Sequence, residues 1–287
     1  MEKISDVIVV GGGIGGLAAA LSIVQQSNKS VTVLEQAAQF GEVGAGIQLA
    51  PNALHVLEQL GVKKAIEDVS VFPKRLVLKD VYTAEELAVL DLTDGFQERF
   101  GQPYVVLHRS DLHRVLFEAC QQHDNITFIN NQKIQNVTEQ DGIVSVNNQN
   151  GETFIADAVI GADGLKSKIR KHFSDDEPIC SEYVAYRGTI PIEEVTSKGD
   201  VAMDDVIMWI GPNLHLVQYP VRRGELYNQV VVFKTYEYKP EGDWGTPEEM
   251  QQRFAGAHPL VERALHYIST QFRWPMFDRL PINNWTD

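Results

Sequence analysis

The stretch Val7-Ile8-Val9-Val10-Gly11-Gly12-Gly13-Ile14-Gly15-Gly16 decides how this chain is read. A four-residue β-branched run meets a glycine turn, and Leu17-Ala18-Ala19-Ala20 then opens a helix. Gly11, Gly13 and Gly16 fit G-x-G-x-x-G, which serves a tight turn, close approach of backbone to a pyrophosphate, and close helix–strand packing. The helix start offers unpaired N–H groups and a positive dipole end to phosphate, so Gly11, Gly13, Ile14, Gly15 and Gly16 are candidate nucleotide contacts. A second strand, Val31 to Leu34, runs into Glu35, 19 residues beyond Gly16, where a carboxylate can accept from ribose hydroxyls. Glycines used for packing alone remain the alternative on these residues.

Working outward, Gln36 leads into Gly41-Glu42-Val43-Gly44-Ala45-Gly46-Ile47-Gln48, whose glycines suit close approach to a flat ligand or simply a flexible loop. Pro51 and Gly61 bracket a helix with Ala53, Leu54, Val56, Leu57 and Leu60 on its apolar face. Leu76–Leu78, Leu87–Leu90 and Tyr104–Leu107 read as strands. Ser110 is expected to cap a helix through Leu112, Val115, Leu116 and Ala119. Arg109 stands at that strand-to-helix junction, the place where α/β sheets put ligand contacts; a surface ion pair is the other reading. Residues 126–155 read as a β-meander with a hairpin at Asp141-Gly142. Ala158-Val159-Ile160 is a buried strand. From Tyr183 alternating strands dominate and argue an antiparallel sheet. Thr246-Pro247-Glu248-Glu249 reads as an N-cap, a proline at the first helical position and a capping box.

The chain of 287 residues is long enough for two domains. Its 25 Lys+Arg against 39 Asp+Glu give a net charge of −14, which argues against nucleic acid and anionic membranes as partners while leaving room for a local basic patch. The two cysteines, Cys120 and Cys180, have no metal or redox spacing and are expected to be buried in a protein of the reducing cytoplasm. No signal peptide, membrane span or metal site is expected.

Three motifs together resemble the class A flavoprotein aromatic hydroxylases, the p-hydroxybenzoate hydroxylase fold. They are Gly11–Gly16 with Glu35, the loop Gly41–Gln48, and Asp163-Gly164-Leu165-Lys166-Ser167-Lys168-Ile169-Arg170, similar to the family's D-G-x-x-S-x-x-R segment. The resemblance implies an α/β fold: a Rossmann-like FAD-binding domain (GR2 type) with an inserted antiparallel β-sheet substrate domain. The expected boundaries are 1–75 and 104–178 for the FAD-binding domain and 76–103 and 179–275 for the substrate domain, with 276–287 returning toward the first. It further implies FAD as cofactor, with Gln36, Val43, Gly46, Ile47, Gln48, Arg109, Asp163 and Gly164 added to the contacts above. Ser167 and Arg170 are expected mainly to hold their segment's shape. NADH or NADPH would be the transient co-substrate, O2 and a small aromatic acid the other partners, and a homodimer is compatible with the family. The family continues into a G-D segment and a long helix, so the chain is expected to be C-terminally truncated or part of a longer protein.

Ala185-Tyr186-Arg187 and Gly211-Pro212-Asn213-Leu214-His215-Leu216-Val217-Gln218-Tyr219-Pro220 are most similar to the salicylate and 3-hydroxybenzoate hydroxylases. In such chemistry the reduced flavin traps oxygen as a C4a-hydroperoxide and the phenol activates its own ring, so the protein must orient the ring and assist loss of the phenol proton. On an alternating strand His215, Val217 and Tyr219 share a face. His215 is the candidate base and Tyr219 the candidate positioning group, both supported by the resemblance; on residues alone a structural histidine stays open. The expected reaction is 3-hydroxybenzoate to gentisate. The alternatives are decarboxylative conversion of salicylate to catechol, or an inactive flavin-binding fragment.

Overall fold

The structure, a computed structural model, describes residues 3–41, 44–196, 203–239 and 241–286. β1 (Val7–Val10), α1 (Ile14–Gln26) and β2 (Val31–Leu34) form the first β-α-β unit, with Val9 paired parallel to Val33. β3 (Gly46–Leu49) leads into α2 (Pro51–Gln59) and α3 (Lys63–Glu67). β4 (Arg75–Asp80), β5 (Glu86–Asp91) and α4 (Asp94–Phe100) leave the first body, and β6 (Val105–His108) with α5 (Arg109–Cys120) returns to it. There follow β7 (Ile126–Ile129), β8 (Ile134–Gln140), β9 (Ile143–Asn148), β10 (Thr153–Ala156) and β11 (Ala158–Gly161).

The parallel sheet has the order β11-β1-β2-β7. Its central strands β1 and β2 are covered on both faces, which is why they read as unbroken apolar runs, whereas β11, expected to be buried, lies at the edge with Ala158 exposed and Val159 and Ile160 partly buried. Val9 and Val33 face Leu17, Leu21, Leu112 and Leu116 of α1 and α5, while Ile8, Val10 and Leu34 face Val137, Val146 and Ala156 of the meander. Each such side chain removed from water contributes roughly 1.5–3 kcal/mol. The meander itself is β10-β9-β8; Ile126–Ile129, expected within it, instead pairs parallel with β2. Nothing local separates the two cases, since a short apolar strand looks the same in either sheet.

The second layer is a seven-stranded sheet, β16-β12-β15-β14-β13-β4-β5, made with β12 (Ile179–Pro191), β13 (Asp205–Gly211), β14 (Leu214–Val221), β15 (Leu226–Lys234) and β16 (Trp274–Asp278). Its pairs are antiparallel except β4 with β13, which run parallel. These two strands are joined through the whole return to the first body, so no hairpin forces them to oppose. α6 (Ile192–Thr196) precedes β13; α7 (Pro247–Arg253) and α8 (Pro259–Leu265) cover one face, where Leu214, Leu216, Val231 and Phe233 meet Met250, Phe254 and Val261. On the opposite face Val217, Tyr219 and Val221 meet Val106 of β6. The two bodies therefore join along β3 and β6.

Four local expectations need correction. The residue before α5 is His108 and no side chain caps that helix; Ser110 lies inside it, with its hydroxyl 2.6 Å from His108 Nδ1. Thr246 does cap α7, but Glu249 accepts from Gly245 N–H, Tyr236 N–H and the Thr235 hydroxyl rather than closing a capping box. A buried carboxylate finds these nearer donors once β15 packs beside the helix. Val56 is half exposed while Leu54, Leu57 and Leu60 are buried, because α2 meets the core along a narrower stripe. Cys120 is buried, but Cys180 is only partly so, because β12 runs there beside the exposed strand β16.

Candidate functional site

Gly11 ends β1 with its N–H on Leu34 O at 2.8 Å and a φ of +109°. A Cβ there would lie 2.2 Å from Ala162 O, so only glycine lets the turn pass β11. At Gly16 a Cβ would lie 1.8 Å from Gly11 O, which makes Gly16 the helix–strand packing glycine. Gly13 precedes α1 without a side-chain cap, the first turn has no acidic residue, and Gly15 faces open space. The first N–H groups of α1 are thus left for an external anion.

Gly11, Gly13, Glu35, Gln36, Asp163 and Gly164 line one cavity of about 470 Å³. Sequence reasoning brought these six together and missed three others on the same wall: Lys133, Lys166 and Lys168. The only hint of the lysines was the K-S-K spacing inside the Asp163 segment. In a chain of net charge −14 they form a local cationic lining suited to phosphates. Glu35 is held rigid, accepting Gly12 N–H at 2.7 Å on one oxygen and Ala37 N–H at 2.8 Å on the other. Its remaining lone pairs can accept ribose hydroxyls. A dinucleotide therefore fits what is present: a glycine cradle that Cβ atoms would fill, an uncapped helix start, a fixed carboxylate and three cations.

Asp163 turns its carboxylate into its own loop, accepting the Ser167 hydroxyl at 2.6 Å and Lys168 N–H at 2.6 Å. Gly164 takes a φ of +76° in that turn. Arg170 grips Asp176 (Nε to Oδ1, 2.8 Å) and donates to Leu280 O, while Arg279 reaches Asp176 and Leu165 O. Arg170, with Ser174 and Arg279, holds the Asp176 carboxyl at about 2. A depressed carboxyl contributes stability above its ordinary value of 3.8, and that contribution fades as pH falls toward 2. Asp176→Asn should therefore lower the urea midpoint at pH 7, with the gap to the parent shrinking below pH 4. A gap independent of pH would contradict this.

The remaining candidates lie along the seam between the bodies. β3 pairs with β6, Gly46 opposite His108. Arg109 opens α5 and its N–H donates to Ala45 O at 2.9 Å, so it stands beside the start of β3; the stretch expected as a loop to Gln48 is paired strand from Gly46 onward. Ile47 packs on the first core. Val43 lies outside the described residues. Gly46 N–H donates to Asn228 Oδ1 at 2.6 Å, and a Cβ on Gly46 would meet the Tyr219 ring at 2.5 Å. Gln48 accepts the Tyr104 hydroxyl and also reaches that of Tyr219. Tyr219 is only 2% exposed; burial pushes its phenol up, and pushes that of Tyr104 to about 12. Both act as hydrogen-bonding groups, not proton acceptors, at neutral pH.

His215 sits one strand turn along the same face, paired with Ile210 and Val232. It is half-buried, and its ring nitrogens have no hydrogen-bond partner among the described residues. Burial lowers its pKa below the ordinary 6.5, so it is a neutral acceptor at pH 7. The other histidines near the loop are engaged locally: His108 with Ser110, and His113 with Gly12 O at 2.8 Å. Arg222 ties the seam shut, donating from Nε to Asp111 at 3.1 Å, and Arg223 donates to Asp68 O at 2.6 Å.

A family model described as FAD binding domain matches residues 4–274. A 3-hydroxybenzoate 6-hydroxylase of Polaromonas naphthalenivorans (strain CJ2) is 38% identical over 98% of this chain and 70% of its own length. A second, of Klebsiella oxytoca, is 35% identical over 99% of this chain and 71% of its own. Among solved structures, a salicylate hydroxylase substrate complex superposes with a TM-score of 0.78 at 22% identity, covering 98% of this chain and 70% of that one. This last likeness concerns the fold alone.

Proposed function

The chain belongs to the FAD-binding flavoprotein aromatic hydroxylases, and from that premise we propose that it hydroxylates 3-hydroxybenzoate para to the phenol, giving gentisate at the expense of NADH and O2. The observation that carries this reading is the seam: an imidazole kept neutral by burial shares a strand face with Tyr219, whose ring lies against Gly46 at the start of β3, beside Arg109. In this reading Gly11, Gly13, Ile14, Gly15 and Gly16 with the start of α1 hold the pyrophosphate of FAD, and Glu35 and Gln36 hold its adenosine side. Asp163, Gly164 and the three lysines close that cavity. Gly46, Ile47, Gln48 and Arg109 lie toward the flavin ring.

FAD held by the glycine cradle, Glu35 and the lysines would supply the redox chemistry, both hydride acceptance and oxygen activation. The chain does the rest. His215 takes the phenol proton, which pushes electron density into the ring para to the oxygen. Tyr219 and Gln48 set the height of β3 over the aromatic acid, and the apolar residues Val217 and Ile47 help exclude water.

The experiment is product analysis. The FAD-loaded chain, NADH and 3-hydroxybenzoate should yield gentisate by chromatography, with NADH oxidation stimulated by the acid. Catechol from salicylate in its place, or bound FAD without stimulated NADH oxidation, would contradict the proposal. Glu35→Ala should weaken FAD binding by about tenfold or more, as expected for a lost charge-assisted hydrogen bond. Unchanged affinity would remove Glu35 from the cofactor site.

A further inference from the structure

β16 is the last strand of the seven-stranded sheet, and Arg279 is the first residue after it. Its guanidinium crosses from that sheet to the Asp163 segment, 114 residues earlier in the chain. Nη2 donates to Leu165 O at 2.7 Å and Nε to the same oxygen at 3.1 Å. Nη1 donates to the Asp176 backbone oxygen and, at 3.2 Å, to its Oδ2. Arg170 holds the same carboxylate from Nε at 2.8 Å and donates from Nη2 to Leu280 O at 2.6 Å. The side chains of Arg279, Arg170 and Asp176 are only 14%, 12% and 5% exposed, so this is a packed lock and not a surface ion pair of little worth.

The oxygen that Arg279 grips bears on the cofactor cavity. Leu165 O and the Lys166 nitrogen share one planar peptide, so two charge-assisted bonds on that oxygen fix the direction in which Lys166 leaves the backbone. Lys166 lines the cavity of about 470 Å³ with Gly11, Gly13 and Glu35, whereas Arg279 does not line it. The other lysine of the segment is placed by different means: Lys168 N–H donates to Asp163 Oδ2 at 2.6 Å.

We propose that Arg279 is a positioning residue for the cofactor: by gripping the Leu165 oxygen it aims Lys166 at the phosphates held in the cavity. This rests on reading the cavity as the FAD site. Lys166 supplies the charge and Arg279 supplies its place. The wall of the cofactor cavity is thereby tied to the last strand of the other sheet.

Arg279→Met keeps the aliphatic stem and removes the donors. FAD would be titrated by fluorescence into the parent, Arg279→Met, Lys166→Gln and the double variant. Each titration is run at low salt and at about 1 M salt, where the screening length is about 3 Å. Thermal melting confirms folding. Each single variant should bind FAD about tenfold more weakly at low salt, with the loss shrinking at high salt. The double variant should be no weaker than Lys166→Gln alone, because the two residues act as one unit. Lys168→Gln is the contrast: its loss should add to that of Arg279→Met. If the methionine variant does not fold, Arg279→Lys, which keeps a cation for Asp176 but not the fork, is read by the same criteria. A folded Arg279 variant that binds FAD like the parent overturns the assignment alone. So does a loss that salt leaves unchanged, full additivity with Lys166→Gln, or equal coupling to Lys168. A parent that binds no FAD overturns the cofactor reading and the assignment with it.

Discussion

Replacing His215 by alanine should lower hydroxylation by about 10²-fold or more while leaving reduction of bound FAD by NADH within a few-fold of the parent. The split follows from where the side chain stands. It lies on the seven-stranded sheet, on the face turned to β3, and is not part of the cavity lined by Gly11, Glu35 and Asp163. Hydride transfer needs no proton from the phenol, whereas ring attack needs the phenolate. The pH profile gives a second readout. Burial lowers the pKa of His215 below 6.5, so the base form persists to lower pH than an exposed histidine would allow. The acid limb of the hydroxylation rate should fall below pH 6.5 in the parent and disappear in the variant. Equal losses in reduction and hydroxylation, or an unchanged acid limb, would assign His215 a structural role.

Gly11→Ala is the second large effect. The new Cβ would meet Ala162 O at 2.2 Å and Ala162 C at 2.6 Å, both backbone atoms, in a residue whose φ is +109°. Neither neighbour can rotate away. Ala162 N–H is bound to Val10 O and Gly11 N–H to Leu34 O, so three strand ends would have to separate together. Strain and displacement of this kind cost about 2–4 kcal/mol, a fall in melting temperature of roughly 5 °C or more. The same separation opens the wall of the cofactor cavity, so FAD binding should be lost even where the chain stays folded. Gly15→Ala is the control, since Gly15 has open space around its missing Cβ. An alanine at 11 that melts and binds FAD like the parent would disprove the cradle.

How much of this was legible beforehand depended on distance along the chain. The β1 run and its glycines carry their chemistry within ten residues, and so does the Asp141-Gly142 hairpin, where both residues take positive φ. Cap and pairing errors arose where a remote partner decided the outcome. Ile126–Ile129 found β2, Glu249 found donors just past β15 and just before α7, and β4 found β13 in parallel. The site divides the same way. Gly11, Glu35 and Asp163 were readable because each stands at a strand end with a recognisable motif. Lys133 reaches their cavity only because the β7–β8 turn folds over it, and Asn228 meets a glycine 182 residues away. No local pattern marks an asparagine in a strand as a buried acceptor; strand register and burial do.

The central claim is that these glycines, Glu35 and the lysines form a working FAD site in this chain. The direct measurement is a fluorescence titration of FAD with the purified 287-residue chain, with folding checked by circular dichroism. Saturable binding at one FAD per chain, with the flavin's fluorescence changed and the Gly11→Ala variant silent, is the expected result. A folded chain that binds no FAD would contradict it.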